Sequence, residues 1–165
     1  AFPSWRIAIH VRCSLTTPER DVPLDDDGIY REQITVAPDA LDGNGHVNNV
    51  VWVQWMQDVA LAHSRACGGT AAMQAARGTW VARSHHVDYL APAVAGDAIT
   101  AMTWICDFRR ASSRRRYRFV NAATGRVLVT GETHWVFIDR DSLRPRSVPA
   151  ELADCFVLCE GEPAS

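Results

Sequence analysis

Lysine is absent from this sequence: all 17 of its basic side chains are arginine. A surface without lysine has no general physical rationale. The bias therefore reads first as the base composition of a GC-rich genome and only second as a preference for forked guanidinium contacts. Net charge is scarce too. Nineteen acidic residues against 17 arginines leave −2 with histidine neutral, which excludes a protein that holds nucleic acid or an anionic membrane by bulk charge. The five cysteines, Cys13, Cys67, Cys106, Cys155 and Cys159, are odd in number and include no C-x-x-C pair. Neither a disulfide framework nor a four-thiolate zinc site is suggested, and reduced thiols in a cytoplasm fit the pattern. Cys155 and Cys159, four apart, have the spacing of one helix face, and ordinary packing rather than metal binding is expected of them.

Long apolar runs are missing as well. The most apolar neighbourhood, Val50 to Ala62, is interrupted by Gln54, Gln57 and Asp58, short of the ~18 apolar residues a membrane span requires. The first residues contain Arg6, His10 and Arg12 and show no uninterrupted apolar core ahead of a small-residue cleavage site. A soluble cytoplasmic protein is expected. With 165 residues, 47% of them hydrophobic and 22% charged, the chain reads as one globular domain rather than a fibrous or disordered one.

Residues 1–28 read as an appended arm, in which Ile7, Ile9 and Val11 alternate as a strand would before Pro18, Pro23 and the run Asp25-Asp26-Asp27-Gly28 intervene. Residues 29–150 carry the domain, and 151–165 form a C-terminal tail. Ile29 to Val36 reads as a strand, followed by a loop from Asp39 to Val47 dense in Asp, Gly and Asn. Val50–Cys67 then places Val51, Trp52, Trp55, Met56, Val59, Ala62 and His63 on one flank at helical spacing. Asn48 or Asn49 stands at its N-cap, and Gly68-Gly69 stops it. A short helix over Thr70–Ala76 follows. Thr79–Tyr89, Asp97–Phe108, Arg114–Asn121 and Arg126–Ile138 read as four strands separated by short turns, hence antiparallel neighbours. One strand, one long helix and four strands make an α+β domain: a curved antiparallel sheet wrapped around one central helix. Such a sheet leaves its edges bare, so edge pairing into a dimer is expected.

Chemistry concentrates in Asp42-Gly43-Asn44-Gly45-His46-Val47-Asn48-Asn49, directly ahead of the long helix. Unsatisfied N–H groups at a helix start favour developing negative charge, as in the oxyanion of acyl transfer. Composition alone leaves an equal alternative, in which Asp42-Gly43 and Asn44-Gly45 are turn dipeptides and Asn48 is an N-cap.

The pattern Asp42-x-Asn44-x-His46-Val47-Asn48-Asn49 before an aromatic-bearing helix resembles the signature of the hotdog-fold thioesterases. It is closest to the branch of 4-hydroxybenzoyl-CoA thioesterase-like proteins and plant acyl-ACP thioesterases. Val87-Asp88-Tyr89-Leu90-x-Pro92-x-x-x-Gly96-Asp97 and Trp135-Val136-Phe137-Ile138-Asp139 with Arg144-Pro145 are similar to later stretches of that family. The resemblance covers residues 29–149. It implies a hotdog fold, hydrolysis of an acyl-CoA or acyl-carrier-protein thioester without cofactor or metal, and a homodimer or homotetramer. Carried onto this chain, it makes Asp42 the nucleophile or general base, Asn44 and His46 members of its network, and Asn49 the N–H donor to the thioester oxygen. Asn48 and Trp52 fall beside the substrate. The chain has Ala40 where many relatives carry a second acid and Trp52 where they carry tyrosine, and it offers no clear counterpart of the plant enzymes' acidic or thiol partner.

His46 reads as a proton shuttle or as a hydrogen-bond partner of Asp42 or Asn44. His85 and His86, adjacent on a strand, should face opposite ways. Asp58 reads as a solvated helix carboxylate with a catalytic reading beside it. Arg109, Arg110, Arg114, Arg115, Arg116 and Arg118 surround one hairpin. They form a solvated loop or, with Arg114 and Arg116 as substrate-binding residues, a patch for coenzyme A phosphates or an acidic carrier protein. Without interleaved aromatics or a known module, nucleic acid is not an expected partner. Two alternatives stay open beside thioester hydrolysis: a non-catalytic acyl-CoA-binding hotdog module and a hotdog dehydratase or hydratase.

Overall fold

A computed structural model describes residues 27–161. Residues 1–26, with the strand expected at Ile7 to Val11 and Cys13, lie outside the described residues. The elements are β1 (Tyr30–Thr35), a 3₁₀ turn (Pro38–Ala40), α1 (Asn49–Ala66), α2 (Gly69–Ala75), β2 (Gly78–Tyr89), β3 (Ala98–Arg109), β4 (Ser112–Asn121), β5 (Val127–Asp139) and α3 (Ala150–Ala153). Within the described residues, each expected strand and helix is present within two residues of its expected ends. The 3₁₀ turn and α3 are additions, too short to leave a periodic signal.

The five strands form one antiparallel sheet in the order β1-β3-β4-β5-β2. α1 crosses its concave face. It buries Trp52, Met56, Val59, Ala60 and His63, the i, i+4, i+7, i+8, i+11 positions of a single stripe. Beneath them lie Ile99 and Ala101 of β3, Tyr117 and Phe119 of β4 and Val129 of β5. Close crossing requires Gly131, because a Cβ there would stand 2.9 Å from the Met56 methyl. The result is the α+β hotdog arrangement, with the helix as filling and the sheet as wrapper.

Of the segment expected as a tail, the described residues 151–161 pack against this body. β1 pairs with β3 only as far as Thr103, and the vacant edge beyond is taken by a parallel bridge between Ile105 and Leu158. Leu152 is buried, and the Phe156 ring stands edge-on to His63 at 5.3 Å. α3 ends at Ala153, so Cys155 and Cys159 do not share a helix face. The chain there is drawn out to reach the sheet.

Under Phe156 lies a buried cation. Arg115 on β4 donates from Nη1 to His63 Nδ1 at 2.9 Å and to Thr103 Oγ1 at 3.2 Å. Burial and the neighbouring guanidinium push the His63 pKa down to about 3, so the imidazole is neutral and serves as an acceptor.

Candidate active site

Asp42 organises the loop that precedes α1. Its carboxylate Oδ1 accepts the backbone N–H of Asn44 at 2.8 Å and of His46 at 3.3 Å. Its own N–H donates to the His46 carbonyl at 2.8 Å, and the Gly45 N–H donates to the Asp42 carbonyl at 3.0 Å. Gly45 takes φ +77° to close the turn, a conformation that glycine adopts without steric cost. A bridge between Leu41 and Val47 clamps the loop's base. The Asn48 N–H to Ala40 and the Val47 N–H to Ala93, each 2.9 Å, tie it to the body. The Asn44 N–H, then the His46 N–H and the Asn44 side chain, hold the Asp42 carboxyl below its usual pKa. The group is a carboxylate at neutral pH.

Asn48 is the N-cap of α1. Its Oδ1 accepts the Val50 N–H at 3.0 Å, and its carbonyl accepts the Val51 N–H at 2.9 Å. Among the described residues the Asn49 N–H has no acceptor, so one orphan donor of the helix start stays open. Asn49's carbonyl is held from the other side by the Tyr89 hydroxyl, which donates at 3.3 Å. Tyr89 ends β2, so one hydrogen bond joins the sheet's edge strand to the first residue of α1. Sequence reasoning quoted Tyr89 within a motif without assigning it this contact.

The structure thus gathers Asp42, Asn44, His46, Asn48 and Asn49 in one loop and helix start. It does not bring the other expected substrate residues there. Trp52 is 2% exposed and lies edge-on to Trp55 at 5.0 Å and to Phe119 at 5.4 Å, a core position. Arg114 and Arg116 project from the outer face of the sheet, where Arg114 Nε meets Asp107 at 2.8 Å and Arg116 Nε meets Glu132 at 3.0 Å. Strand alternation sets this division, since Ser113, Arg115, Tyr117 and Phe119 face α1. The phase of Tyr117 and Phe119 was the available signal that Arg115, alone in its run, turns inward.

His85 and His86 split as alternation requires. His85 Nδ1 lies 2.8 Å from Thr133 Oγ1 on the inner side, and His86 Nε2 lies 3.2 Å from Asp88 on the outer side. Asp58 accepts from the Gln54 carboxamide at 2.9 Å. Opposite it, burial first and Asp58 second raise the pKa of Glu32 on β1.

Clefts open on both faces of the sheet. A groove of about 270 Å³ runs between β1, the 3₁₀ turn and α1, walled by Ile34, Ala40, Val51 and Trp55. Another of about 240 Å³ lies between Arg116, Glu132, His86 and Trp104 and includes no residue of the Asp42 loop. No helix among the described residues is long and apolar enough to cross a membrane.

Comparison with known proteins places this geometry in a family. Oleoyl-acyl carrier protein thioesterase 1, chloroplastic, of Arabidopsis thaliana is 24% identical over 149 residues, covering 85% of this chain and 41% of that protein. The chain spans less than half the length of the curated relatives it matches. Among solved structures, the 12:0-ACP thioesterase from Umbellularia californica superposes with a TM-score of 0.71 at 19% identity, over 79% of this chain and 51% of that one. A 1,4-dihydroxy-2-naphthoyl-CoA thioesterase from Synechocystis superposes with a TM-score of 0.70 at 16% identity, over 77% and 94%. The profile of the thioesterase-like superfamily matches residues 36–156, from the end of β1 to Phe156, and the chain belongs to that superfamily.

Proposed function

We propose that this chain hydrolyses an acyl thioester of coenzyme A or acyl carrier protein to the free acid and thiol, at the loop and helix start between Asp42 and Asn49. The observation that supports the reading is an ionised Asp42 carboxylate in the same loop-to-helix segment as an Asn49 N–H that has no acceptor among the described residues. A thioester carbonyl is already electrophilic. A carboxylate to activate water or to attack the carbon, with a backbone donor on the oxygen, suffices without cofactor or metal. Asp42 acts as nucleophile or general base, and the helix N-terminus favours both uses because each needs the charged form. Asn49 N–H receives the oxyanion. The Asn44 side chain and the His46 N–H hold the carboxylate, and in this reading the His46 imidazole hands a proton to the departing thiolate.

The acyl chain has an apolar wall available in the groove of Ile34, Ala40, Val51 and Trp55, of which Ala40 stands two residues before Asp42. The names of the relatives support both carriers, one group on acyl carrier protein and one on coenzyme A. A second copy belongs in the account as a homodimer or homotetramer. β2 ends the sheet, and its residues 81–86 are exposed in the isolated chain, a bare edge that a partner strand would cover. Arg114 and Arg116 stand outside the proposed machinery because each is engaged by an acid on the far face.

The test is thiol release from short, long and aromatic acyl-CoAs and from acyl carrier protein thioesters, with the protein's own five thiols subtracted. Turnover on one class establishes the activity and names the carrier. Binding without turnover on every thioester, or a double-bond change in the acyl group, overturns it in favour of a binding module or a dehydratase.

A further inference from the structure

The C-terminal segment lays one cysteine beside another on the outer face of the sheet. Ile105 and Leu158 form a parallel bridge, and the Cys159 N–H donates to the Ile105 carbonyl at 2.9 Å. The next residue on each chain is Cys106 and Cys159. Cys106 is the extra residue of a bulge, since β4 pairs with Ile105 and with Asp107 but skips it. It therefore turns outward with Trp104 and Ile29 into an apolar cluster, and Cys159 packs against that same cluster. Both thiols are free. Neighbouring strands lie ~4.7–4.9 Å apart, inside the ~4.4–6.8 Å between Cα atoms that a disulfide spans.

We propose that Cys106 and Cys159 form a reversible disulfide, made by exchange with a low-molecular-weight disulfide, which locks the C-terminal segment onto the edge of β3. Cys159 is the entry point. It is half-buried whereas Cys106 is 4% exposed, and burial holds the Cys106 thiol protonated. The Cys159 thiolate attacks one sulfur of the small disulfide, breaking its S–S bond and releasing one small thiol. Cys106 then loses its proton and attacks the Cys159 sulfur of the mixed disulfide, releasing the second small thiol. Two protein thiols are oxidised, one small disulfide is reduced to two thiols, and the two protons go to those leaving groups. The lock has a structural consequence. Phe156, three residues before Cys159, covers the buried Arg115 guanidinium at 5.8 Å and the His63 ring, so pinning Cys159 keeps water from a cation that the fold has buried.

This assignment is independent of the catalytic reading, and its test does not use activity. The full chain carrying Cys13→Ser is incubated with oxidised glutathione, alkylated and mapped by mass spectrometry without reduction. Expected are the joint loss of two thiols, a peptide linking Cys106 to Cys159, reversal by dithiothreitol, and a Tm rise of roughly 5–10 °C from closing a long loop. Cys159→Ser, at a half-buried position, should fold and lose both the link and the Tm shift. Glutathione retained on Cys159 beside a free Cys106, Cys159 linked to Cys155 instead, or no loss of thiols would each overturn the assignment.

Discussion

The Tyr89 hydroxyl donates to the Asn49 carbonyl at 3.3 Å, so the residue whose N–H is left open at the start of α1 is steadied through its carbonyl by the last residue of β2. The contact bears on the peptide between Asn49 and Val50, which follows directly the peptide whose N–H is proposed to receive the oxyanion.

Tyr89→Phe removes that donor and keeps the ring. Under the proposed mechanism kcat falls about 3- to 10-fold while KM stays unchanged, since the oxyanion is bound only in the transition state. Steady-state kinetics on the best thioester of the panel checks this. A rise in KM alone would assign Tyr89 to substrate binding instead.

The neutral, buried His63 predicts a pH dependence of stability. Its folded pKa of about 3 lies below the 6.5 of an unperturbed histidine. Between those values the unfolded chain binds a proton that the native one refuses, so stability falls as pH drops from 6.5 toward 3, by about 1.4 kcal/mol per unit at most. His85, shifted in the same direction by burial, adds to the slope. The carboxylates with lowered pKa, Asp107 and Glu132 among them, begin to contribute only below their unfolded values near 4. Urea unfolding at pH 7 and pH 5 should therefore separate wild type from His63→Gln, whose slope over that window is shallower. Parallel slopes would show that His63 is protonated in the folded protein.

Arg116 tests the outer face. It pairs with Glu132 at 3.0 Å with a partly exposed side chain, and a pair of that kind contributes ~0–1 kcal/mol. Arg116→Ala should leave kcat/KM on acyl-CoA within about twofold and stability within about 1 kcal/mol. A large KM increase confined to acyl-CoA would place coenzyme A phosphates on this face.

The sheet and α1 were legible because their signals are local. Apolar residues recur at helical spacing from Val51 to His63, and β-branched and aromatic residues fill the four later strands between turn dipeptides. The Asp42 loop was legible as a motif, and its physical content, an Asx-bonded carboxylate ahead of a capped helix, follows from Asp, Gly and Asn at those spacings. Three features were not legible, for one reason: each depends on what lies across the fold. Phe156 and Leu158 find their places only because β1 stops pairing at Thr103. Arg115 differs from Arg114 and Arg116 only in strand phase. Trp52 reads equally well as a pocket wall or as core until Phe119 is seen beneath it.

The most direct test of the account is Asp42→Asn. The carboxamide oxygen can still accept the Asn44 and His46 N–H groups that shape the loop, so the substitution removes charge and leaves the hydrogen-bonded turn. The measurement is kcat for thiol release on the preferred thioester, with circular dichroism and Tm recorded alongside. A fall of at least ~100-fold with an unchanged fold is predicted, the range expected on losing a general base or nucleophile. A folded variant that keeps kcat within tenfold of wild type would contradict the assignment of Asp42 as the reacting carboxylate, and with it the proposed mechanism.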